Sequence, residues 1–166
     1  MRANSRELIA AALAGGIVAG TIDIAVACLL NGHSIRSVLH AIAGGLLGEQ
    51  AFAGGMRTVI FGAVLQEAMA VVIAAVFVAA TVVVPVLRRH WIRGGVLYGV
   101  VIFFVMNYVV VPLSAWHVWP HFSVGQFFSN LLAMLLFGSI VAYFASRAWA
   151  PTPMAPQARP GNDLVT

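Results

Sequence analysis

Charge is what this chain has least of. Only 8% of its 166 residues are charged, against 61% apolar, and its mean hydropathy is +0.97. A soluble domain of this size cannot meet water with so little charged surface, which excludes that class. Lysine is absent, so the basic side is nine arginines. That absence fits a GC-rich coding bias and points to no function. One cysteine, Cys28, excludes an internal disulfide and says little about redox compartment. Apolar–polar alternation is missing too, which argues against a membrane β-barrel. No phosphate loop, nucleophile elbow or helical His-Glu-x-x-His pattern occurs, and no spacing ties Ser, His and Asp into a triad. The chain therefore reads as a non-enzyme, and no cofactor is expected.

What is present is four long apolar stretches, Leu8–Leu30, Thr58–Leu87, Ile92–Leu113 and Val124–Ser146. Each can cross a hydrocarbon core of about 30 Å at about 1.5 Å rise per residue. The expected fold is all-α, a polytopic four-helix transmembrane bundle over residues 8–149, with the lipid bilayer as its first partner. Seven of the nine arginines then share one side: Arg2 and Arg6, Arg88, Arg89 and Arg93, and Arg147 and Arg159. Only Arg36 and Arg57 lie opposite. The positive-inside rule places both termini in the cytoplasm. The pI near 10.2 then reflects topology signals and headgroup anchors, and no nucleic-acid motif accompanies it.

Residues 1–7 form the expected cytoplasmic N-terminus. Residues 150–166, broken by Pro151, Pro153, Pro156 and Pro160, read as a disordered cytoplasmic tail. Ala25-Val26-Ala27-Cys28 loosely resembles a lipoprotein cleavage site. The apolar run before it is longer than a typical signal core and carries Asp23, so the first span is expected to be retained. Pro85 should bend or end the second span, and Pro112 should mark the end of the third.

The first loop, 31–57, is not simply polar. Ser34 can cap a helix whose Ile35, Val38, Leu39, Ile42 and Leu46 share a face. That predicts an amphipathic outer helix, either lying on the membrane or re-entrant and lining a cavity. Gly44, Gly45 and Gly48 would allow a sharp bend after it.

Two acids interrupt the spans. Gly16, Gly20, Asp23 and Ala27 form one helical stripe, and Ala63, Glu67, Ala70 and Ala74 form another. Small residues let helices approach closely, so the two stripes predict docking of the first two spans. Asp23 lies eight residues before Asn31 and Glu67 ten after Arg57, or about 12 and about 15 Å of helix from the outer surface. Gln66, Asn107, Tyr108, Gln126, Ser129 and Asn130 fall at the same outer level. An outward-facing polar pocket of Asp23, Glu67, Gln66, Asn107 and Asn130 is the expected site for a proton or small solute.

An ionised carboxylate in the core costs roughly 2.5–3.5 kcal/mol on insertion scales. Two sharing a site cannot both ionise cheaply, so one would hold a proton near neutral pH. The opposing reading is that the acids only specify packing, as in a structural or partner-binding membrane subunit. A protonated acid would then bond Asn107 or a backbone carbonyl.

His33, His40, His117 and His121 gather on the outer side. Pro120 spoils the helical spacing of the last two, so titrating loop histidines are expected rather than a metal site. Trp116 and Trp119 read as an interfacial belt. Gly95 and Gly99 read as a packing pair. A homodimer would let two polar seams meet across a two-fold axis.

The segments Ala19-Gly20-Thr21-Ile22-Asp23, Ala43-Gly44-Gly45-Leu46-Leu47-Gly48 through Ala51-Phe52-Ala53-Gly54-Gly55, and Met106-Asn107-Tyr108 through Pro112-Leu113-Ser114 carry a resemblance. Over about residues 8–146 the chain resembles bacterial four-span inner-membrane proteins of the YagU-like type. The resemblance implies a small bacterial inner-membrane protein and a link to acid stress. It supplies no active site.

Overall fold

The computed structural model describes residues 4–149. Arg2, Arg159 and the tail expected at 150–166 lie outside the described residues. Helix α1 (Ser5–Asn31) begins with a capping box of Asn4 and Glu7 and stops at Gly32, whose φ of 63° suits the left-handed cap. Helix α2 (Ile35–Leu47) starts at Ser34, whose Oγ accepts the Ser37 amide at 3.3 Å. A 3₁₀ turn, Gly48–Ala53, leads into α3 (Gly55–Val83), followed by the short α4 (Pro85–Arg89). Helix α5 (Trp91–Val105) continues through a π-helical segment, Met106–Val110, into one turn of α6 (Val111–Leu113). Helix α7 (Val124–Arg147) is capped reciprocally by Ser123 and Gln126, which takes Gln126 away from the expected polar cluster.

Four helices, Ser5–Leu30, Gly55–Val83, Trp91–Leu113 and Val124–Arg147, are long and apolar enough to cross a membrane, with hydropathy from 1.9 to 2.3. The protein is a multi-pass, all-α membrane protein. The second span stops at Val83, four residues short of the expected Leu87. The cause is Pro85, which has no N–H to give the Thr81 carbonyl. Arg88 fills that role, donating from Nε to Thr81 O at 2.5 Å and from Nη2 to Val82 O at 2.8 Å. Its guanidinium lies 3.5 Å over the Trp149 ring, and Trp149 Nε1 donates to Thr81 Oγ1 at 3.1 Å.

Helix α7 packs between α1 and α5, and α1 also packs on α3. Glycines set a close α5–α7 crossing, as the Gly95–Gly99 pair predicts. A Cβ on Gly95 would sit 2.8 Å from Gly138 O, and one on Gly138 would sit 2.7 Å from Gly99 N. Toward the termini the bundle closes around Phe77, Val78, Val141, Ala142 and Ala145. Tyr98 ties α5 to α3 there, its hydroxyl donating to Ile73 O at 2.7 Å and its ring 4.9 Å from Phe77.

At the other end α2 folds back on α3. Leu39, His40, Ala43 and Gly44 are the buried face, whereas Ile35 and Leu46 of the expected apolar face are 60% and 62% exposed. The smaller face wins because Gly62 lets the α2 backbone at Leu39 press directly on α3. The loop before α7 adds to this: Ala115 N donates to Gly45 O at 2.8 Å and Trp116 Nε1 to Ala41 O at 3.1 Å. Trp116 packs its ring against Gly44, where a Cβ would collide with it. Trp116 thus packs on α2, while Trp119 is 63% exposed.

Candidate functional site

Asp23 and Glu67 both lie at the α1–α3 seam, but they are used differently. Gly16 and Gly20 bring the helices together: a Cβ on Gly16 would lie 2.6 Å from Val71 Cα, and one on Gly20 would lie 2.9 Å from Glu67 Oε2. Glu67 is thus packed against the glycine seam, accepting Thr21 Oγ1 on Oε1 at 3.1 Å. Its Oε2 is buried and finds no hydrogen-bond partner among the described residues. Asp23 turns to the bundle interior, where its Oδ2 accepts Gln66 Nε2 at 3.0 Å.

Asp23 and Gln66 line a cavity of about 180 Å³ between the four spans, together with Asn107 and Asn130. Asn130 Nδ2 donates to Asn107 Oδ1 at 3.3 Å, and Asn107 Nδ2 donates to Phe103 O at 2.8 Å. The π-helical segment contributes to this placement. It widens the turn ahead of Pro112, and Asn107 within it is buried toward the cavity while the neighbouring Tyr108 is 42% exposed. The remaining wall is apolar, with Met69, Met106 and Met134 prominent.

The structure therefore brings four of the five expected site residues to one cavity, Asp23, Gln66, Asn107 and Asn130. It leaves Glu67 outside. Neighbouring helix positions diverge by about 100°, so Gln66 and Glu67 cannot both face the same interior. The two acids consequently do not share a site, and Asn107 bonds Asn130 and a carbonyl rather than an acid.

The histidines are dispersed in role. His40 is buried, with Nε2 3.1 Å from Gly55 O and its ring 5.7 Å from Phe52. His121 Nδ1 contacts Trp119 O at 2.9 Å, and His117 sits at a left-handed φ of 49° in the loop. No group of three or more His, Cys, Asp or Glu is arranged to hold a metal ion among the described residues.

Sequence reasoning missed the methionine wall and the π-helical segment. The first has no periodic signal, since Met69, Met106 and Met134 come from three different helices. The second could have been suspected from Pro112 following a polar Asn-Tyr pair in an apolar run. Compared with known proteins, the chain matches no family model, no curated relative and no solved structure. The helices themselves define the class, a four-span helical membrane bundle.

Proposed function

We propose that the protein binds a proton or small solute at Asp23 and moves it across a bacterial inner membrane. Both termini lie in the cytoplasm in this reading, and the Asp23 cavity opens from the opposite side. The observation that carries it is one acid and three amide side chains converging on a single cavity inside an otherwise apolar bundle. Ionisable groups at such depth are costly, and they concentrate where ions or solutes pass. The amides offer donors and acceptors to a guest without adding charge. The YagU-like resemblance, with its link to acid stress, agrees with a proton-linked role.

The competing role, an acid that specifies helix packing, fits Glu67. Its carboxylate sits in the glycine seam and outside the cavity.

The test is proton flux into liposomes loaded with a pH-sensitive dye after an imposed pH step. Wild type should conduct above empty liposomes, and Asp23→Asn should abolish the excess while eluting as a folded species. Equal flux from wild type and Asp23→Asn would remove Asp23 from the pathway. Absence of any flux or binding would favour the partner-binding subunit.

A further inference from the structure

A second and larger space adjoins the Asp23 cavity. It is an apolar groove of about 740 Å³ beneath α2, walled by α2, α3 and the π-helical segment, with Trp116 at its rim. Gln66, Met69, Met106 and Val111 line both spaces, so the two share a wall of four side chains. Two of the four are unbranched thioethers, which reshape readily around guests of varied form.

Size and charge then limit what fits. The inner cavity, at about 180 Å³, holds only a small head group, whereas the groove lies within the usual range of about 300–1,000 Å³ for ligand sites. Asp23 forms no ion pair among the described residues; its Oδ2 accepts from the neutral Gln66 amide. An ionised carboxylate inside hydrocarbon is compensated best by a cation brought to it. An anionic head would meet repulsion there, and the groove offers a body mainly apolar surface, with Gln66, Ser37, Ser114 and His33 as its polar points.

We infer that cavity and groove form one site for an amphipathic organic cation, its charged head at Asp23 and its apolar body under α2. This deepens the solute-binding reading of Asp23 and rests on it. Folding α2 back on α3 is what roofs the site, and Gly62 and Gly44 are the residues that let α2 and Trp116 close over it.

The experiment is equilibrium dialysis of the full chain in phosphatidylcholine nanodiscs against radiolabelled N-methyl-phenylpyridinium, with empty nanodiscs subtracted. Biphenylcarboxylate, of similar shape and opposite charge, and tetramethylammonium, a head without a body, are run beside it. Saturable binding of the pyridinium is expected, with biphenylcarboxylate failing to compete. Asp23→Asn should weaken it by roughly tenfold or more. Ala41→Phe, which projects a ring into the groove from an exposed position on α2, should also weaken it while leaving tetramethylammonium binding and the Asp23-dependent proton flux intact. Tetramethylammonium binding or proton flux at Asp23 without pyridinium binding would overturn the amphipathic assignment and leave the polar site standing. Equal binding of pyridinium and biphenylcarboxylate, indifferent to Asp23→Asn, would overturn the cation assignment and leave a neutral apolar slot. No binding and no flux of any kind would remove both readings.

Discussion

The two halves of this bundle solve the same packing problem in opposite ways. Toward the termini, alanines and glycines let the helices close around Phe77 and Val141, and Tyr98 pins α5 to α3. Toward α2, the space between the four spans is lined by Asp23, Gln66, Asn107, Asn130 and three methionines, and it stays open as a cavity. One half has small side chains that permit contact between backbones. Around the cavity, polar or flexible side chains line the space between the spans, and the asparagines bond each other. Close packing is thus concentrated at one end and buried polar side chains at the other.

The contrast is broken most severely in the closed half. Gly138→Leu would drive a side chain into the backbone of Gly95 and Gly99. It should cost about 3 kcal/mol or prevent assembly, read as loss of the monodisperse peak and of the thermal transition in detergent. Next comes Asp23→Asn, which should reduce flux by about tenfold or more while shifting the melting temperature little, because the amide keeps the shape of the carboxylate. A matching collapse of stability would make Asp23 a packing residue after all.

Smaller effects should sharpen the division between the acids. Glu67→Gln leaves the cavity untouched and is expected to change flux by less than about threefold. A loss as large as that of Asp23→Asn would join Glu67 to the pathway. Asn130→Ala removes the bond to Asn107 and should cost about 0.6 kcal/mol, the usual size of an interhelical hydrogen bond in a membrane. Thermal melts of purified protein would check it, and a cost of several kcal/mol would mean that the asparagine pair holds the open half together.

Much of the architecture was legible because it follows from length and local chemistry. Four apolar runs of spanning length, a Ser34 cap and glycine stripes each act within one or two turns of helix. The docking of α1 on α3 was readable too, since small residues at 4-3-4 spacing leave little else for those faces to do. The buried face of α2 was legible only at Leu39, because hydrophobicity equally favours Ile35 and Leu46 while the actual contact is set by Gly62 on another helix. In a membrane an apolar face need not be buried, so apolar pattern alone loses its power to say which side packs.

The site divides along the same line. Sequence by itself determined that the chain spans a membrane, that its few intramembrane acids are Asp23 and Glu67, and that amides cluster at their level. Those are matters of composition and rise per residue. Only the tertiary structure decided that Asp23 faces a cavity and Glu67 a glycine seam, and that Asn107 meets Asn130. Depth along a helix is fixed by counting residues, whereas direction around it depends on which neighbours press closest.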